Sequence, residues 1–116
     1  MANIVLPPTL LFSAELFQTV CDTLGLKTEA GRAALEYAFK QVTLLDKKQQ
    51  DYGPRNISDF GLVGVVIRMN DKMQRLKRLV GSKRRKPRNE SVRDSLQDIS
   101  NYGIIGQMLE DGRWPS

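Results

Sequence analysis

The sequence predicts an all-α fold: a four-helix bundle of one short and three long helices. Apolar residues recur at helical spacing in four stretches, and capping residues, Gly or Pro bracket those stretches. The β-branched run Val63-Gly64-Val65-Val66-Ile67 has no candidate partner strand elsewhere in the chain, and a lone strand leaves its backbone groups unsatisfied.

Ser13 is placed to cap a first helix from Ala14 to Leu24, with Leu16, Phe17, Val20 and Leu24 on one stripe and Gly25 as the stop. Thr28 caps a second, from Glu29 to about Asp51, whose expected buried stripe is Ala30, Ala34, Tyr37, Ala38, Gln41, Leu44 and Leu45. Gly53-Pro54 ends it and opens a loop to Ser58. The third helix is expected from Ser58 or Asp59 to Val80, with Leu62, Val65, Val66, Met69, Met73, Leu76 and Val80 inward. Gly61 and Gly64 each cost it about 1 kcal/mol relative to Ala, which suggests close approach of its backbone to another helix or a ligand. A basic loop at 81–89 leads to a fourth helix, from Asn89 or Ser91 to about Glu110.

The 116 residues are expected to form a single helical domain, 1–116, preceded within its own length by an extended arm at 1–12. The chain has no His and one Cys, which excludes imidazole catalysis, a disulfide framework and a Cys-rich zinc site. Phosphate-loop, dinucleotide and nucleophile-elbow motifs are absent as well. Eighteen Lys and Arg against thirteen Asp and Glu give a net charge of +5 and point to anionic partners. No apolar run approaches the roughly 18–20 residues of a membrane span, so no membrane partner is expected. The arm lacks the basic start and cleavage site of a signal peptide, so a cytoplasmic setting is the expectation.

On the fourth helix, Glu90, Asp94 and Asp98 follow one another at four-residue spacing and Asn101 comes three residues later, all within roughly 80° of arc. Carboxylates spaced in this way repel unless a cation lies between them. Mg²⁺, which prefers oxygen ligands, and an Arg of the third helix are both candidates; a solvated face with ordinary ion pairs is the alternative. The opposite side, Val92, Leu96, Ile99, Gly103 and Gly106, is expected to face the core. Ile105 and Met108 continue the acidic side, which points to burial by a second subunit or by a pocket wall.

The third helix carries Arg68, Asp71, Lys72, Arg75 and Arg78 within a few turns. Arg68, Lys72 and Arg75 are candidates to cradle phosphates; the alternative is a basic outer face. Between the second and third helices, Asp51 is a candidate metal carboxylate, Tyr52 a ring for a base and Arg55 a phosphate contact. The plainer reading there is a helix stop with Tyr52 packed on the core. The loop Lys83-Arg84-Arg85-Lys86-Pro87-Arg88 can grip nucleic acid with a steep salt dependence, overhang a nucleotide site, or simply connect two helices. No aromatic residue interleaves with it to stack single-stranded bases. Cys21 and Trp114 are expected to be packing residues, Trp114 in the interior or at an interface.

Three segments taken in order, Lys48-x-x-Asp51-Tyr52-Gly53, Arg68-Met69-x-Asp71-Lys72-x-x-Arg75-Leu76 and Glu90-Ser91-x-x-Asp94-Ser95-x-x-Asp98-x-x-Asn101-Tyr102, resemble the phage-associated "nucleotide modification associated domain" helical family over about two-thirds of the chain. That family looks related in architecture to the MazG-like all-α nucleotide pyrophosphohydrolases, Mg²⁺-dependent enzymes that generally work as dimers or tetramers. The resemblance implies Asp51, Asp71, Asp94 and Asp98 as metal or polar ligands and Lys48, Lys72 and Arg75 as phosphate partners. It also implies that Asn101 and Tyr102 shape the pocket. MazG-like enzymes pair carboxylates three positions apart on each of two helices, whereas no two acids here have that separation. Ligand binding survives this departure better than hydrolysis does, because metal-assisted hydrolysis needs an ion held rigidly against water.

Three readings follow. The first is a phage-type, homo-oligomeric protein of the host cytoplasm that captures a small phosphorylated nucleotide, such as a host immune signal, in a charged interhelical or intersubunit pocket. The second is a Mg²⁺-dependent nucleoside triphosphate pyrophosphohydrolase. The third is a nucleic-acid accessory factor acting through the Lys83–Arg88 loop.

Overall fold

The computed structural model describes residues 13–81 and 89–115, with side chains from residue 92 onward in the second stretch. The described residues are all-α, with no strand. The elements are α1 (Ala14–Leu24), α2 (Glu29–Tyr52), α3 (Arg55–Ser58), α4 (Gly61–Gly81) and α5 (Asn89–Glu110). Four helices are long, and the short α3 replaces most of the loop expected between Gly53 and Ser58. The arm at 1–12 and the basic residues Lys83–Arg88 lie outside the described residues.

Local chemistry sets the helix ends. The Ser13 hydroxyl accepts from the Leu16 amide at 3.1 Å, and Gly25 closes α1 in the left-handed region at φ 68°. Thr28 Oγ1 accepts from the Gly31 amide at 2.9 Å at the start of α2. Gly53, at φ 72°, stops α2 and donates its amide to the Gln49 carbonyl. Gly64 is required for a different reason than the sequence suggests: a Cβ there would lie 2.5 Å from the Cβ of Phe60. The close approach is to Phe60, which lies one turn earlier in the chain, rather than to another helix or a ligand.

The chain falls into two compact units, Met1–Leu44 and Leu45–Ser116, with the boundary inside α2. In the first unit Phe17 and Cys21 are buried, and the Phe39 ring stands edge-on to Phe17 at 6.1 Å. In the second, α4 packs along α5 and α3 packs on α4. Ile57, Val65 and Ile105 form the buried cluster, flanked by Leu45, Met69, Tyr102, Leu109 and Trp114. Trp114 Nε1 donates to the Pro54 carbonyl at 3.0 Å and so ties the end of the described chain to the α2–α3 turn.

Three expected faces are corrected. On α2 no residue is buried; Ala30, Ala34 and Ala38 are exposed, as is Tyr37, while Gln41, Leu44 and Leu45 are half-buried. On α4 only Val65 and Leu76 of the expected stripe are buried, and Leu62, Val66, Met73 and Val80 are exposed. On α5 Leu96 is exposed, nothing approaches the position of a Gly103 Cβ, and Val92, Ile99 and Gly106 are only half-buried. The buried side of α5 is Ser95, Asn101 and Ile105, with Asp98 half-buried beside them. This helix turns much of its polar side inward because cations from two other helices meet it there.

Candidate functional site

Residues 45, 48, 49 and 52 share one face of α2 by helical spacing, and the same holds for 68 and 72 on α4 and for 98, 101, 102 and 105 on α5. With α3 these faces enclose a cavity of about 400 Å³ inside the second unit, within the size range of small-molecule sites. Leu45, Ile57 and Ile105 give it an apolar lining. Lys48, Gln49, Tyr52, Asn56, Arg68, Lys72, Asp98, Asn101 and Tyr102 supply the polar and aromatic groups.

Its electrostatic centre is Asp98, with a side chain only 15% exposed. Lys48 Nζ donates to Asp98 Oδ1 at 2.7 Å, and Lys72 Nζ lies 3.0 Å from Oδ2. Burial pushes the Asp98 carboxyl upward, but hydrogen bonds and charge from the two lysines outweigh it and hold the group below its ordinary 3.8. Burial pulls Lys48 down in turn, and the Asp98 hydrogen bond and charge keep it above its ordinary 10.5. One carboxylate thus fixes two ammonium groups from two different helices, α2 and α4.

Arg68 is the remaining cation of the lining. Its Nη2 donates to the Asn56 carbonyl at 2.9 Å, and among the described residues it has no carboxylate partner. Against three cations the lining sets one carboxylate, an excess of two positive charges. A half-buried guanidinium with most of its donors uncommitted suits a phosphate oxygen. The buried Asn56 Oδ1 has no hydrogen-bond partner among the described residues. Tyr52, 69% exposed, offers a ring at the mouth rather than packing on the core.

Of the residues predicted from sequence, Lys48, Tyr52, Arg68, Lys72, Asp98, Asn101 and Tyr102 come together in this cleft. Arg55 does not: it is exposed and lies 3.6 Å from Asp59 on the surface. Arg75, Asp51, Asp71 and Asp94 are exposed and outside the lining. Arg75 shares the face of Arg68 but sits seven residues, about 10 Å, further along α4. Sequence reasoning missed Gln49 and Asn56. Gln49 was detectable, since it falls on the helical face defined by Leu45, Lys48 and Tyr52; Asn56 has no periodic signal in a four-residue helix.

The carboxylates do not fit the Mg²⁺ that the family resemblance implies. Among the described residues no group of three or more His, Cys, Asp or Glu gathers where it could hold a metal. Each Asp98 oxygen already faces an ammonium group. The chain matches no family model, no curated protein and no solved structure.

Proposed function

We propose that the second unit binds a small phosphorylated nucleotide in this cleft. The observation that carries the reading is the cationic excess of a cavity of mixed polar and apolar lining, above all Arg68 with no carboxylate partner among the described residues. A phosphate takes the free guanidinium donors and the outer protons of Lys48 and Lys72, while Tyr52 and Tyr102 provide rings for the base. Capture of a nucleotide signal fits this arrangement better than hydrolysis, because no carboxylate in the lining is free to hold an ion against water. Exposed Val63, Val66, Ile67 and Val80 on α4 support the homo-oligomeric part of the reading, which light scattering measures directly.

Calorimetry with a panel of nucleoside mono- and triphosphates, followed by chromatography of the ligand, tests the proposal. Saturable binding with intact ligand recovered is the expected result, weakened at least about tenfold in Arg68→Ala. Equal affinity in that variant, folded by its melt, would remove the reading. Recovery of monophosphate and pyrophosphate would replace it with hydrolysis.

A further inference from the structure

We infer that the cleft takes its phosphate without a divalent cation, with Lys48, Lys72 and Arg68 supplying the counter-charge that Mg²⁺ supplies in metal-assisted sites. The inference rests on the nucleotide reading and deepens it by naming the charge state of the ligand. Nucleotide polyphosphates usually travel as Mg²⁺ complexes, and a site that receives them in that form generally offers one or two carboxylates to the ion. Here each oxygen of the single carboxylate of the lining is already paired with an ammonium group, at 2.7 Å on Lys48 and 3.0 Å on Lys72. An incoming Mg²⁺ would have to displace an ammonium group and would then face three cations. A bare polyphosphate meets the opposite situation: two ammonium groups, from α2 and α4, held by their shared carboxylate, and a guanidinium one turn away on α4. In this arrangement Asp98 is a positioning residue, a spacer between the lysines.

The test uses the whole chain and three probes: pyrophosphate, a nucleoside triphosphate, and Mg²⁺ alone. Each phosphate is titrated by calorimetry in excess EDTA and again in millimolar Mg²⁺. The expected result is binding in EDTA that weakens about fivefold or more once Mg²⁺ covers the phosphate oxygens, and no saturable heat from Mg²⁺ alone. Binding that needs Mg²⁺ or tightens with it overturns the inference while leaving nucleotide binding in place. A saturable Mg²⁺ heat that disappears in Asp98→Asn also overturns it. Absence of binding for both phosphate probes in either buffer removes the nucleotide reading and this inference together.

Discussion

The two compact units fill their interiors with different chemistry. The first buries Phe17 and Cys21 and sets the Phe39 ring edge-on to Phe17, an apolar contact that rewards shape alone. The second buries Ile57, Val65 and Ile105 on α3, α4 and α5, then gives positions on α2, α4 and α5 to Lys48, Arg68, Lys72 and Asp98. Apolar filling holds a fold together but offers a phosphate nothing. Half-buried charge contributes less to stability and leaves a cavity lined with donors. Among the described residues the contrast assigns the proposed binding chemistry to the second unit, and substitutions can test that division.

The largest expected effect on stability comes from Phe17→Ala, which removes a fully buried ring and should cost about 3 kcal/mol in denaturant unfolding. Nucleotide affinity of the folded fraction should be unchanged; a parallel loss of affinity would break the division. Arg68→Ala sharpens it from the other side, with affinity falling at least about tenfold while the melt moves little.

Smaller effects follow from the ion pairs. Asp98 is held below 3.8 in the folded chain, so its contribution is complete above that value and is lost as pH falls through the lowered folded value. Asp98→Asn should therefore lower stability by about 1 kcal/mol near neutral pH, and the difference from the parent should shrink as melts are run into that acid range. A constant difference at every pH would show that the carboxylate charge is not what stabilises the pair. Arg55→Ala and Asp94→Asn, both exposed and outside the cleft, should change stability and affinity by less than about 0.5 kcal/mol. A large effect on affinity from either would extend the site beyond its present lining.

Helix ends were legible in the sequence because capping is local: Ser13, Gly25, Thr28 and Gly53 each act within four residues. Helix faces were legible only in part. Val92, Leu96, Ile99, Gly103 and Gly106 make the more apolar side of α5, yet Ser95, Asn101 and Ile105 are the buried ones. The reason lies fifty residues away, in the Lys48 that meets Asp98, and no window of local sequence contains that pairing. The same limit governs the site. Arg68 and Lys72 were recoverable as an i,i+4 pair, but nothing local separates them from Arg75 or distinguishes Asp98 from Asp94. Only packing of α4 along α5, with the end of α2 beside them, decides which turn of each helix becomes the cleft.

The most direct test is to titrate the isotope-labelled chain with a nucleoside triphosphate in EDTA and follow the backbone amides by NMR. The account predicts perturbations concentrated at residues 45–57, 68–72 and 98–105, saturating together. Saturable shifts confined to residues 14–44, or none in the cleft at ligand excess, would contradict it.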